Sequence, residues 1–276
     1  MSPTTLLITT AMVTLSAAVL SSLARGLAAL AGGDPLARLR PVAGWLVLAA
    51  ATILTLALGW RAIDAGRAPW SNLHEVSAAF ALGVLLAYLA LARRLAITAL
   101  APGVALLAAG LLGIGLGQPD SVRPLVPALQ APLLLTIHVG AAIAAYAIGG
   151  LAFLAATAEI VQRRAGDRLG FLPGAEACRT AAHRAALLAF PVLTAAIVLG
   201  SVWANLAWRA YWSNDPKELA AAATWLVYGG YLHVAGRRDR WGAAAPWLLV
   251  LGFALVLFTW LAAGLLFVGR HSYAGA

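Results

Sequence analysis

The sequence predicts an all-α, polytopic integral membrane protein with about eight transmembrane helices and both termini on the outer side. Of its 276 residues, 62% are hydrophobic and only 11% are charged, whereas a soluble domain carries about 25% charged residues. The mean hydropathy is +0.88. Eight stretches approach the roughly 20 apolar residues that a membrane-spanning helix requires. A soluble globular fold is therefore excluded.

The predicted spans cover most of the chain. They are residues 4–24, 42–60, 76–92, 95–116, 133–158, 185–203, 217–235 and 243–269. Asp215, Pro216 and Glu218 predict the start of the seventh span, because an N-cap carboxylate and a Glu three residues later satisfy free amides of the first turn. Asn72 and Glu75 repeat this capping pattern at the third span.

The basic residues predict the orientation. With the N-terminus outside, thirteen of the 19 Lys and Arg residues lie in inner connections and six in outer segments. Basic residues are enriched in cytoplasmic loops of membrane proteins. The net charge of +9 is thus explained as an orientation signal, and no nucleic-acid partner is predicted. The longest inner connection, residues 161–184, is polar and contains three glycines, which favours a mobile connector.

Several kinds of chemistry are missing from the sequence. Cys178 is the only cysteine, which excludes an internal disulfide, a CxxC redox pair and a cysteine-ligated cluster. The chain has no P-loop, HExxH or GxSxG motif. No predicted span carries an acidic residue near its middle, which argues against a proton-coupled pump.

Two histidines lie within predicted spans and require an explanation. His138 follows Pro132 by six residues, about 9 Å into its helix from the outer end. His233 lies about 26 Å down the seventh span, one turn before Arg237. Ionisable groups inside a membrane are usually functional, although a neutral histidine bonded to a neighbouring helix fits equally well. His271 and His74 lie on the outer side, and His183 is expected to be solvated at the inner interface.

Aromatic residues are concentrated between the sixth and seventh spans. Trp208, Tyr211, Trp212 and Asp215 are spaced so that a helix would place them on one face, and Trp203 precedes them by five residues. Such a face would form an aromatic shelf along the outer membrane surface. An interfacial belt of Trp and Tyr and a stacking surface for a large planar ligand are both compatible with this pattern.

These motifs together resemble the tryptophan-rich signature of the CcsA/CcmC-type cytochrome c assembly proteins. The segment Trp70–Glu75 resembles the family's SNLYE-like segment, and His138 and His271 resemble its two outer histidines. The similar region covers residues 70–273, whereas residues 1–69 are less characteristic helices of the same membrane domain. Its central run is Trp203-Ala204…Trp208…Tyr211-Trp212-Ser213-Asn214-Asp215-Pro216-Lys217-Glu218…Thr224-Trp225-Leu226-Val227-Tyr228…Tyr231-Leu232-His233.

The resemblance implies a haem-handling protein of the cell inner (plasma) membrane, with its functional face outside the cytoplasm. Such proteins hold haem b against the tryptophan-rich segment 203–218 and present it to the CxxCH cysteines of apocytochrome c. His138 and His271 would be the axial ligands of the haem iron, and His233 a membrane haem ligand. A CcsB (ResB)-like membrane protein would complete the haem-attachment synthase, in which this chain would be a subunit.

Some positions depart from the family pattern. Arg209 stands where the family usually has Gly, and it could instead pair with a haem propionate. Asn214 and His74 stand where Trp and Tyr are common. Two alternatives remain open from the sequence: a HemX-like membrane regulator of tetrapyrrole synthesis, and an unrelated small-solute transporter that uses the aromatic residues only as a belt.

Overall fold

The computed structural model describes residues 2–30, 41–121, 132–237 and 242–262, and these residues contain no β-strand. Eight α-helices account for most of them. They are α1 (Pro3–Leu30), α2 (Val42–Ala65), α3 (Leu73–Leu91), α4 (Ala101–Leu116), α5 (Pro132–Ala165), α6 (Ala175–Trp208), α7 (Pro216–Ala235) and α8 (Ala245–Leu257). A 3₁₀ turn, Thr98–Leu100, precedes α4, and a π-helical turn, Phe258–Ala262, continues α8. The structure confirms the all-α membrane class.

Six of the helices are long and apolar enough to cross a membrane, namely α1 to α6, with the 3₁₀ turn counted in α4. Helix α8 is apolar but shorter. The number of eight spans and the positions of both termini stay predictions. Helices α5 and α6 each contain 34 residues, well beyond the length that crosses the hydrocarbon core.

The prediction of a polar connector over residues 161–184 is wrong. Helix α5 continues to Ala165 and α6 begins at Ala175. The charges that suggested a loop instead extend the helix, since Glu159 and Arg163 form an ion pair one turn apart at 2.7 Å. The short connection is tied down because the Gln162 side-chain amide donates to the carbonyls of Leu169, Leu172 and Pro173.

The starts of α3 and α7 have the predicted caps. The Asn72 side chain accepts a hydrogen bond from the Glu75 amide at 2.8 Å. At α7, the Asp215 carboxylate accepts from the Lys217 amide at 2.9 Å, and the Glu218 carboxylate accepts from the Asp215 amide at 3.2 Å, completing the capping box. Asp215 itself is 5% exposed. Its capping role is therefore structural.

The helices pack as two groups joined by α5. Helices α1 to α4 contact one another, α5 packs along α6, and α7 packs on α8, while α3 and α8 both contact α5. We call the end where α6 finishes and α7 begins the tryptophan end. The opposite end, where α5 finishes and α6 begins, is the arginine end. Gly103 near the start of α4 faces Leu154 of α5, and Gly115 near the end of α4 faces Ser77 of α3, so α3 and α5 both begin at the tryptophan end.

Tyr228 of α7 fills the space between α5 and α8. The residue is 2% exposed. A Cβ added to Gly149 would lie 2.6 Å from the Tyr228 hydroxyl, and one added to Gly252 would lie 2.6 Å from the ring. Small residues allow helices to approach closely in membranes. These two glycines therefore make the space that the tyrosine ring occupies.

Candidate functional site

His138 is fixed at the tryptophan end by a neighbouring helix. Its Nδ1 lies 2.9 Å from the backbone carbonyl oxygen of Ala196 in α6. A carbonyl can only accept, so Nδ1 carries the proton and donates, and Nε2 carries the ring's lone pair. A hydrogen bond of this kind sets both the tautomer and the orientation of an imidazole. The structure thus holds His138 in the form that binds a metal.

Trp203 of α6 stacks on this imidazole, and Trp208 packs against Trp203. The rings of His138 and Trp203 are parallel to within 8°, with centroids 6.1 Å apart. Trp208 meets Trp203 edge-on, at 81° and 4.9 Å between centroids. Gly200 lies one turn before Trp203, and a Cβ there would stand 2.6 Å from His138 Cε1. The site therefore combines an oriented imidazole with two aromatic rings.

The predicted helical shelf through Trp208, Tyr211, Trp212 and Asp215 is wrong. Helix α6 ends at Trp208 because Arg209 adopts a left-handed conformation, φ 61°, which breaks the helical spacing. The Ser201 hydroxyl donates to the Tyr211 carbonyl at 2.8 Å, which turns the chain back along α6. Tyr211 is 61% and Trp212 43% exposed. These two rings therefore lie on the surface, apart from the buried Trp203.

The backbone at Arg209 accounts for the glycine that the family usually has at this position. Its left-handed backbone, φ 61°, is a conformation that glycine adopts without the steric cost of a Cβ. A glycine there is therefore expected from backbone geometry alone. The exposed Arg209 side chain lies at the tryptophan end, next in sequence to Trp208.

Two other histidines, His233 and His74, have hydrogen-bond partners of their own. His233 is exposed near the end of α7, at the arginine end, and its Nε2 accepts from Arg237 Nη1 at 2.6 Å. His271 lies outside the described residues. His74 is 2% exposed and donates from Nδ1 to the Gly115 carbonyl at 2.9 Å, which is a packing role between α3 and α4. The structure thus brings together His138, Trp203 and Trp208.

A buried ion cluster lies at the tryptophan end, between the end of α2 and the start of α3. Arg61 and Arg67 approach opposite oxygens of the Glu75 carboxylate at 2.8 and 2.9 Å, with Arg61 3% and Glu75 1% exposed. The Ser71 amide also donates to Glu75, at 3.0 Å. Sequence reasoning identified Glu75 only as a possible cap and missed both arginines. Helix spacing gives no signal for a pairing between separate helices.

Asp120 joins the end of α4 to α1. Its carboxylate accepts from the Thr5 hydroxyl at 2.7 Å, and its backbone carbonyl accepts from Arg61 Nη2 at 2.5 Å. The Thr5 hydrogen bond, with help from Ser2 and the nearby charges of His74 and Arg61, lowers the pKa of Asp120 below its ordinary value. The tryptophan end of the first four helices is thus held by charge contacts.

Comparison with known proteins identifies the family. Residues 70–271 match the cytochrome C assembly protein family. The chain is 32% identical to "Cytochrome c biogenesis protein CcsA" of Synechococcus sp. (strain RCC307), with 87% of each protein covered. It is also 32% identical to the protein of that name from Guillardia theta, over 83% of this chain and 84% of the relative.

A solved structure shares the fold. "Cytochrome c Heme Lyase CcmF" superposes with a TM-score of 0.69 at 21% sequence identity, over 94% of this chain. The chain spans 47% of the length of that protein. The sequence resemblance and the comparisons agree, and the chain belongs to the cytochrome c assembly protein family, as a CcsA-type member.

Proposed function

We propose that the protein binds haem b at the tryptophan end and presents it for covalent attachment to apocytochrome c. One observation carries the proposal: the His138 Nδ1 donates to the Ala196 carbonyl at 2.9 Å, so that the ring's lone pair is on Nε2, the nitrogen that would bind the haem iron. Such a hydrogen bond on the other ring nitrogen is the usual partner of a metal-bound histidine. Family membership supplies the reaction in which such a ligand is used.

The aromatic rings near His138 suit a haem. A porphyrin has flat apolar faces. Trp203, which stacks on the imidazole, and Trp208, which packs edge-on against Trp203, offer ring surfaces of the same character. The exposed guanidinium of Arg209 suits a propionate carboxylate. When bound, the haem supplies the vinyl groups that react with cysteine thiols, and the protein supplies placement and protection.

The remaining parts of the proposal concern both ends of the molecule. His271 would be the second axial ligand, since two imidazoles occupy both open positions of the iron. His233 would contact haem at the arginine end, on its way across the membrane. The basic-residue bias supports an orientation in which the tryptophan end faces away from the cytoplasm of the plasma (inner) membrane. A CcsB/ResB-like protein would complete the synthase.

The test is absorption spectroscopy of the detergent-purified chain. The protein is expected to carry haem with a Soret band that weakens strongly in His138→Ala, and added imidazole is expected to restore it by filling the vacated coordination position. The same measurement on His233→Ala and His271→Ala tests the other two proposed haem contacts.

His183→Ala is the matched control, because His183 lies at the arginine end and outside the proposed haem contacts. It is expected to keep the Soret band. A full Soret band in purified His138→Ala, with unchanged position and intensity, contradicts the assignment of His138 as a ligand.

A further inference from the structure

A cavity lies at the arginine end, far along the helices from His138. Its volume is about 620 Å³, and it is bounded by residues of α5, α6, α7 and the start of α8. None of the residues placed at the haem site lines it. It is therefore distinct from the haem site proposed at His138, and it lies beside His233, whose sequence neighbours Leu232 and Val234 line it.

The polar wall of this cavity is basic. Arg179, His183 and Arg184 of α6 line it, together with Thr180. The buried Nδ1 of His183 has no hydrogen-bond partner among the described residues, so a polar group arriving in the cavity would satisfy it. Glu159 is the acidic residue among the described lining residues, and its carboxylate already pairs with Arg163 at 2.7 Å. Arg179 also pairs with Glu176.

The rest of the lining is apolar. Leu187, Leu232, Val234 and Pro246 form this part of the wall. Leu187 is 50% exposed and its neighbour Leu188 is 44% exposed. They lie farther along α6 than the arginines, towards the middle of the helix. A molecule with an anionic head beside the arginines and apolar chains along these leucines would match both parts of the lining.

We propose that this cavity binds the phosphate headgroup of an anionic phospholipid, with the acyl chains lying along α6. Basic pockets between helices at the cytoplasmic side of a membrane are suited to anionic headgroups, and the arginine bias predicts that this end faces the cytoplasm. A planar tetrapyrrole suits the cavity less well. The rings of His183 and Tyr231 are tilted by 56° and present no flat face like that of His138 and Trp203.

The experiment measures binding of a tail-labelled phosphatidylglycerol to the full chain in a neutral detergent. Binding is expected to saturate, and unlabelled phosphatidylcholine is expected not to compete. Arg184→Gln removes an exposed charge from the cavity wall and is expected to weaken binding about fivefold, the effect of one arginine near anionic lipid. Arg184→Lys keeps the charge and is expected to retain most of the affinity. Arg179→Gln gives a second measurement on the same wall.

The controls are Arg93→Gln and Arg94→Gln, which remove exposed charges after α3, at the same end but outside the cavity. These variants are expected to bind like the unmodified protein. If the control variants bind the lipid as weakly as the cavity variants, the proposal is overturned, because the lipid would then be attracted by basic charge anywhere at this end. Competition by phosphatidylcholine would also overturn it. If haemin displaces the lipid from the unmodified protein but not from Arg184→Gln, the cavity is assigned to tetrapyrrole carboxylates instead.

Discussion

At the scale of single residues, the position of His138 depends on a glycine in the neighbouring helix. Gly200 leaves room for the imidazole, because a Cβ there would stand 2.6 Å from Cε1, closer than atoms pack in protein interiors. We expect Gly200→Ala to displace the ring and to weaken haem binding by roughly tenfold, equivalent to about 1.4 kcal/mol of the 1–3 kcal/mol that overpacking typically costs. Haem titration followed by the Soret band measures the affinity.

Gly113→Ala is the matched control for this change. Gly113 is exposed on α4, and an added Cβ would meet nothing within 4 Å. The replacement is expected to leave haem binding unchanged and to favour the helix by roughly 0.5–1 kcal/mol. If Gly200→Ala binds haem as tightly as Gly113→Ala, the glycine has no part in positioning His138.

Sequence reasoning singled out His138 as a candidate ligand but could not identify what holds its imidazole in place. The depth of His138 in its span singled it out, because ionisable groups are costly in a membrane. The Ala196 carbonyl and Gly200 carry no such signal, since a backbone acceptor and a missing side chain become meaningful only when α5 and α6 are packed together. The predicted shelf failed because its helical spacing assumed that Arg209 would be helical.

At the scale of helices, the Glu75 ion cluster connects the end of α2 to the start of α3. Glu75→Gln would leave the buried Arg61, 3% exposed, without its charged partner. Breaking a buried pair from one side costs about 3–5 kcal/mol. We expect this loss in the free energy of unfolding, measured by denaturant titration of the purified protein in detergent.

The comparison variant is Glu176→Gln, at a more exposed ion pair in which Glu176 is 65% exposed. Solvent screens this pair, so the variant is expected to change the free energy of unfolding by less than about 1 kcal/mol. Similar losses in both variants would show that burial of the Glu75 cluster adds no stability.

Asp120 gives the contact between α1 and α4 a pH dependence. Its pKa is lowered in the folded protein, first by the Thr5 hydroxyl. The contact therefore stabilises the fold fully above the unfolded pKa, about 3.9, and the stabilisation is lost as the pH falls through the folded pKa. Thr5→Val is expected to reduce the loss of thermal stability between about pH 6 and pH 3.

Thr10→Val serves as the control for Thr5→Val. Thr10 is exposed on the same helix, and its hydroxyl donates to the Leu6 carbonyl within that helix. This variant is expected to keep the acid sensitivity of the unmodified chain. The same acid sensitivity in Thr5→Val and Thr10→Val would count against the Asp120 contact as its source.

Helix ends were predictable where a local mechanism marks them and not elsewhere. The caps at Asn72 and Asp215 are local sequence patterns, and both helices begin at them. The end of α5 was misplaced, because Arg163 and Arg164 mark the edge of the apolar core and not the end of the helix. Helix α5 continues until Gly166, whose φ of 59° ends it.

At the scale of the whole molecule, the protein is expected to be required for covalent haem attachment. Deleting its gene should abolish haem-stained c-type cytochromes, measured on denaturing gels, while total haem synthesis continues. A plasmid copy of the chain should restore the cytochromes, and a His138→Ala copy should not. Loss of total tetrapyrrole with the cytochromes would favour the HemX-like alternative.

Tyr228 also has a consequence for movement between the two ends of the protein. Its ring fills the space between α5, α7 and α8 at half the depth of the bundle, so the interior there is a closed plug and not a tunnel. A large flat cargo therefore cannot pass between α5, α7 and α8 at this depth while the ring keeps its place.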